Sequence, residues 1–196
     1  LEKPYILVTA GGGGDGEEMG DWVLSAYETD PLLPYPVLLV LGPFMQPEAR
    51  ARFAKRAAQL DRVDTITFDP HLESLMTHAA GVVAMGGYNT FCEILSFDKR
   101  ALIIPREKPR LEQRIRAMKA KELGLANVLL DDGKRDPAKM AAALRSMPKQ
   151  NLPSEVVVPG LLEGLYNVNR RMTPWLHRAG EAGGNNRTVH KLMDEA

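Results

Sequence analysis

The chain has 196 residues, 44% of them hydrophobic, and its 25 Lys plus Arg balance 25 Asp plus Glu. That length suits one domain with a tail, and zero net charge argues against a module that holds nucleic acid through an overall basic field, while leaving room for a local basic patch. The single Cys92 excludes an internal disulfide and fits a reducing, cytoplasmic setting, and no apolar run approaches the ~20 residues that span a bilayer.

The first strand reads from Tyr5 to Thr9. Gly11 to Gly14 forms a loop, and Asp15 is the expected N-cap of a helix whose inner face is Met19, Trp22, Val23, Ala26 and Tyr27. Pro31, Pro34 and Pro36 end that helix. Val37 to Leu41 is a second strand. Pro47 suits the first position of a second helix, with Ala49, Phe53, Ala57 and Leu60 inside. Val63 to Phe68 is a third strand, followed by a turn at Asp69-Pro70 and a short helix carrying Leu72, Leu75, Met76 and Ala79 inward.

Gly81 to Met85 is the fourth strand. It runs into Gly86-Gly87-Tyr88-Asn89-Thr90-Phe91-Cys92-Glu93, where paired glycines open a helix. Ala101 to Ile104 is a fifth strand, stopped by Pro105. After the charged loop Arg106 to Arg110 comes a helix expected to bury Leu111, Ile115 and Met118, with Gly124 as its stop. Ala126 to Leu130 is a sixth strand, and Pro137 opens a helix through Met140, Ala141 and Leu144. Leu161, Leu165, Val168, Met172 and Trp175 mark a last amphipathic helix over about 161–177. Residues 179–196 read as a polar, flexible tail beyond a domain over 1–178.

The strands are continuous apolar runs, so both faces should be covered. Strand and helix alternate, which predicts a doubly wound α/β domain with a mostly parallel sheet and helices on both faces. Leu1 stands close to the first strand, as in a piece of a longer protein.

In such a sheet, ligands sit beyond the C-terminal strand ends. Three candidate loops fall there: Gly11 to Gly14, Phe68 to His71 and Gly86 to Thr90. A glycine turn entering a helix suits an anion, because the helix start has unpaired N–H groups and a positive dipole end. The four-glycine loop serves equally as a plain tight turn. It lacks the lysine of a phosphate-binding P-loop, and Asp15, Glu17 and Glu18 would repel a close phosphate.

Asn89 and Glu93, four apart, share a helix face that suits a ligand's hydroxyls, though capping and solvation also explain them. Glu112 and Gln113 open the next helix and suit a sugar. Cys92 reads as a packed small residue. His71 and His78 belong to no metal constellation, and no metal or cofactor is expected.

The segments Asp69 to Ala79 and Gly86 to Glu93, in this order, resemble the donor-binding signature of GT-B glycosyltransferases. The likeness extends both to UDP-sugar transferases of small molecules and to the peptidoglycan N-acetylglucosaminyltransferase, and it covers roughly residues 4 to 130. It implies the C-terminal, Rossmann-like domain of a two-domain enzyme. An N-terminal domain or subunit would bind the acceptor and supply the catalytic base, and any membrane association would come through that part.

By position, the resemblance places Phe68 and Asp69 at the nucleobase. Gly12, Gly13, Gly14, Gly86, Gly87, Asn89 and Thr90 fall at the diphosphate, Glu93 at the ribose, and Glu112 and Gln113 at the donor sugar. Met85 stands where many of these enzymes carry a histidine. Neutralisation must then come from amides, the helix dipole, or an arginine such as Arg106 or Arg110. The implied activity is metal-independent, inverting transfer from a UDP-sugar, with the isolated domain inactive. A donor subunit of a two-subunit transferase, a UDP-sugar 2-epimerase fragment and a non-catalytic Rossmann-like module remain open.

Overall fold

The computed structural model describes residues 4–11, 14–161 and 163–182, the last seven by backbone alone. The chain divides into two compact units, Leu1–Val157 and Val158–Ala196.

In the first unit the elements alternate as expected. They are β1 (Tyr5–Thr9), α1 (Glu17–Thr29), β2 (Val37–Val40), α2 (Pro47–Ala57), β3 (Val63–Ile66) and α3 (Leu72–His78). There follow β4 (Ala79–Ala84), α4 (Tyr88–Ser96), β5 (Arg100–Ile103), α5 (Glu112–Glu122), β6 (Asn127–Val128) and α6 (Pro137–Ser146). The strands form one sheet in the order β3-β2-β1-β4-β5-β6, and every pairing is parallel. The chain starts in the middle, fills one half of the sheet and returns to fill the other. The loops leaving β1 and β4 therefore diverge, and a crevice opens between them.

Alternation along the strands gives the sheet two apolar faces. Ile6, Val8, Leu39, Val83 and Leu102 pack with Met19, Trp22, Val23, Ala26 and Tyr27 of α1, Phe53 of α2, and Met140 and Leu144 of α6. Met76 of α3, Ile94 and Leu95 of α4, and Ala117 and Ala120 of α5 are buried outside that cluster. Leu7, Val82 and Ile103 turn the other way, toward them. Each large side chain so buried contributes ~1.5–3 kcal/mol relative to exposure. Trp22 Nε1–H also donates to the Asp136 carbonyl at 2.8 Å, joining α1 to the start of α6.

Several boundaries depart from expectation. Asp15 does not cap α1: the N-cap is Gly16, with no side-chain hydrogen bond, because Asp15 instead pairs with Arg106. β3 ends at Ile66, and of its residues only Val63 is fully buried. It lies at the sheet edge, where one neighbour and partial cover replace two. β6 keeps two residues of its expected five, although Leu129 N–H still reaches the Ile103 carbonyl at 3.0 Å. Ala79, expected on the inner face of α3, instead opens β4, and Leu72 and Leu75 are only half-buried.

The largest correction concerns α5. Leu111, Ile115 and Met118 are exposed by 54%, 68% and 41%, while Ala117 and Ala120 are buried. The helix presents its alanines to the body of the domain, which lets it lie close. Its polar Gln113 and Arg116 are half-buried and bond backbone groups of neighbouring loops. Gly124 does stop the helix at φ +75°, and Leu125 N–H bonds the Ala120 carbonyl at 2.9 Å.

The second unit contains α7 (Gly164–Ala182), a helix with Pro174 inside it. It begins three residues later and ends five residues later than the helix expected over 161–177. Leu165, Tyr166, Val168 and Met172 are exposed. The expected tail lies outside the described residues from position 183 onward.

Candidate functional site

β1 ends at Thr9, whose Oγ1 accepts the Gly11 N–H at 3.3 Å. Gly12 and Gly13 lie outside the described residues. Gly14 and Asp15 lead to Gly16 at the start of α1. A methyl added at Gly16 would stand 1.9 Å from the Ala10 Cβ, so the helix enters here only because this residue is glycine.

On the other side of the crevice, Gly86 takes φ +76°, and a Cβ there would lie 2.8 Å from Ile103 Cγ2. Gly87 is the N-cap of α4 and makes no side-chain capping bond. The first helical bond runs from Phe91 N–H to the Gly87 carbonyl at 2.9 Å. The Tyr88, Asn89 and Thr90 N–H groups therefore lack partners within the helix.

The two helix starts differ electrically. α1 has Glu17 and Glu18 in its first turn, which answer its dipole. α4 has no acidic residue there, so its positive end remains for an anion. Gly86→Ala should therefore affect both stability and anion binding. The left-handed conformation costs a non-glycine residue ~1–2 kcal/mol, and Ile103, branched at Cβ, yields poorly to the new methyl. Chemical denaturation of the variant measures this; an unchanged midpoint would mean the turn tolerates a side chain.

Between these loops lies a cavity of about 270 Å³, lined among others by Thr9, Gly14, Met85, Gly86, Gly87, Thr90 and Gln113. The fold thus brings Gly14, Gly86, Gly87, Thr90 and Gln113 of the sequence-predicted residues together. Glu93 is half-buried, one turn along α4 from Thr90 on the same side. Asn89 is exposed in the first turn of α4, and Glu112 is exposed in that of α5. Phe68 and Asp69 do not line this cavity. They begin the loop from the sheet edge to α3, where Asp69 Oδ1 accepts the His71 N–H at 2.7 Å. Asp69 also lies near Tyr5, whose phenol is pushed above its usual range by burial first and by this carboxylate second.

A second cavity of about 770 Å³ shares Gly14, Asp15 and Met85 with the first and is floored by Met19, Trp22 and Ile104. Its rim answers the concern that the acids after the glycine loop would repel an anion. Asp15 pairs with Arg106, Glu17 with Arg52, and Glu18 with Arg135 at 2.6 Å. Each of these three carboxylates meets a guanidinium, with Arg135 shared between Glu18 and Asp131, so their repulsion of an anion is reduced. Arg106 also donates its backbone N–H to Gln113 Oε1 at 3.1 Å, while Arg110 is exposed.

Sequence reasoning missed Arg116. Its Nη1–H donates to the Gly86 carbonyl at 2.7 Å, and its guanidinium lies 5.5 Å from the centre of the Tyr88 ring. The signal was present in the spacing Gln113, Arg116, Ala117, Ala120, a helix face of polar and small residues. The larger apolar residues concealed it. Among the described residues no cluster of three or more His, Cys, Asp or Glu is arranged to hold a metal. No described helix is long and apolar enough to cross a membrane.

The family model for the glycosyltransferase family 28 C-terminal domain matches residues 5–155. The chain belongs to this family. A comparison with curated proteins gives no match. Among solved structures, the chain is similar to Acinetobacter baumannii MurG, with 15% identity and a TM-score of 0.62 over 88% of this chain and 51% of that one. It is similar to the glycosyltransferase VinC, solved in complex with DTDP, with 21% identity and a TM-score of 0.57 over 75% and 34%. The UDP-GlcNAc 2-epimerase of Methanocaldococcus jannaschii gives 14% identity and 0.54 over 78% and 41%. These likenesses are likenesses of fold. The chain spans about a third to a half of the length of those solved proteins, and its resemblance to the C-terminal domain of GT-B glycosyltransferases holds.

Proposed function

We propose that this family 28 domain binds the nucleotide-sugar donor, a UDP-sugar, of a metal-independent, inverting glycosyltransferase. The observation that carries the reading is the cavity at the switch point, where Gly86, Gly87 and Thr90 place the uncompensated start of α4 against open space. A diphosphate set there would accept from the Tyr88, Asn89 and Thr90 amides. Glu93, half-buried and without a side-chain hydrogen bond or ion pair among the described residues, suits the ribose hydroxyls. Gln113 at the cavity wall and Glu112 beside it suit the sugar.

In the transfer, an acceptor hydroxyl oxygen would bond to the anomeric carbon as that carbon's bond to the diphosphate oxygen breaks. The hydroxyl proton passes to a base on the acceptor-binding domain or subunit. This domain's part is to meet the charge that grows on the departing diphosphate with preorganised N–H groups. The chain alone should therefore bind donor but transfer no sugar.

Calorimetric titration with UDP, UDP-N-acetylglucosamine, GDP and NAD tests the reading. UDP should bind in preference to GDP and NAD. Glu93→Ala should weaken UDP about 10- to 100-fold, since a hydrogen bond to a charged group contributes ~1.5–3 kcal/mol. Failure of the wild type to bind any of the four, or equal binding of UDP by Glu93→Ala, counts against the assignment.

A further inference from the structure

We propose that Arg116 is the positioning residue of the anion site. It clamps the Gly86-Gly87-Tyr88 turn so that the first amides of α4 face the cavity. The inference rests on the donor-binding reading above and adds to it the device that holds the site in shape.

The turn cannot fix itself. Gly86 sits at φ +76° with no room for a Cβ, and Gly87 caps α4 without a side-chain bond. Paired glycines are the freest residues in the chain, so their conformation must be imposed from outside. Arg116 reaches both ends of the segment. It donates to the Gly86 carbonyl at 2.7 Å, and its guanidinium lies 5.5 Å from the Tyr88 ring centre. Tyr88 is 68% exposed, so the core does not hold its ring.

Two further observations point the same way. A cation close to the start of a helix opposes the helix dipole. The turn of α4 nonetheless receives Arg116, and its first turn carries no carboxylate to offset it. That arrangement is most favourable when an anion completes it. In addition, α5 is rotated so that Arg116 turns inward while Ile115 beside it is 68% exposed. The helix leaves apolar burial unrealised, and what it gains at this position is the contact with the glycine turn.

The test uses the full chain, UDP as the probe, and Arg116→Ala, Arg116→Lys and Tyr88→Ala. Calorimetry reads affinity, and amide NMR without ligand reads the turn. Arg116→Ala should weaken UDP by about tenfold or more and displace the free-state amide signals of Gly87, Tyr88, Asn89 and Thr90. Arg116→Lys, which can still reach the carbonyl, should recover part of both effects. Tyr88→Ala, a surface change that leaves folding intact, should give a smaller loss of the same kind.

Arg116→Ala binding UDP as tightly as the wild type would overturn the proposal. So would weakened binding with unmoved amide signals, which would make Arg116 a direct ligand contact. If the wild type binds no UDP, the donor-binding reading fails. The amide signals then decide the clamp by themselves: signals that stay in place in Arg116→Ala refute it. Should Arg116→Ala not fold, the lysine and Tyr88 variants carry the same comparison.

Discussion

Gly16→Ala should destabilise the domain by about 3 kcal/mol, the upper end of the usual overpacking range, lowering its thermal midpoint by roughly 6–12 °C. The cause is space and not backbone conformation. Gly16 has φ −89°, which any residue adopts, yet its added Cβ would meet the Ala10 Cβ at 1.9 Å. Ala10 follows β1 and Gly16 caps α1, so the methyl would push the helix start away from the strand end. It would also displace the glycine loop that walls the switch-point cavity. Ala10→Gly in the same chain should restore most of the loss. It removes the clashing methyl, and the next atom, Ala10 Cα, lies 3.4 Å away, near ordinary contact. A full recovery is not expected, because glycine at position 10 itself costs ~0.5–1 kcal/mol in backbone freedom. Thermal unfolding followed by circular dichroism decides the matter. Equal midpoints for wild type and Gly16→Ala, or no recovery in the double variant, would show that the two ends of the β1–α1 loop do not approach in this way.

Trp22→Ala should cost ~3–5 kcal/mol, the range for deleting a large aromatic from a packed core. Trp22 is 1% exposed on the inner face of α1, where it joins the cluster that holds α1, α2 and α6 on the sheet. Its indole N–H bond to the Asp136 carbonyl is a smaller part of the effect. Asp136 is exposed, so water can replace that donor. Trp22→Phe, which keeps an apolar ring but loses the bond, should therefore fall between wild type and Trp22→Ala. Guanidinium unfolding read by the helical circular dichroism signal gives the order, since tryptophan fluorescence changes with the substitution itself. Phe costing as much as Ala would shift the explanation from packing to the hydrogen bond. An Ala variant within ~1 kcal/mol of wild type would remove Trp22 from the core.

The two glycines at the crevice show how differently one residue type can be constrained. Gly16 is required by contact alone, whereas Gly86 is required by contact and by its positive φ. Sequence reasoning found Gly86 because it follows an apolar run and opens a helix. It passed over Gly16 in favour of Asp15, since a carboxylate before a helix is the more familiar cap. In the structure Asp15 is taken up by Arg106 from the loop after β5, a partner 91 positions away in the chain. No local pattern reports such a partner.

The same limit explains α5. Its apolar residues at 111, 115 and 118 make a stripe at helical spacing, and that stripe is the wrong face. Small alanines allow close approach, and Gln113 and Arg116 satisfy backbone groups of the loops after β5 and β4. A buried backbone group left without a partner costs ~1–3 kcal/mol, so supplying two such bonds outweighs part of the apolar area left outside. The placement of Gly86, Gly87 and Thr90 was legible, because it depends on a strand, a turn and a helix that are contiguous. The roles of Arg106 and Arg116 were not, because they depend on which loops become neighbours.

The sequence alone determined the succession of strands and helices, the parallel α/β class, and the glycine turns at strand ends. Each of these is written in hydrophobic period and turn chemistry over stretches of a few to a dozen residues. Only the tertiary structure decided that β1 and β4 are neighbours, that their loops therefore enclose one cavity, and that α5 turns its arginine toward it. Those facts rest on pairings such as Leu7 with Val82, between residues far apart in the chain. Their free energy comes from burying two sheet faces at once, which no single segment can express.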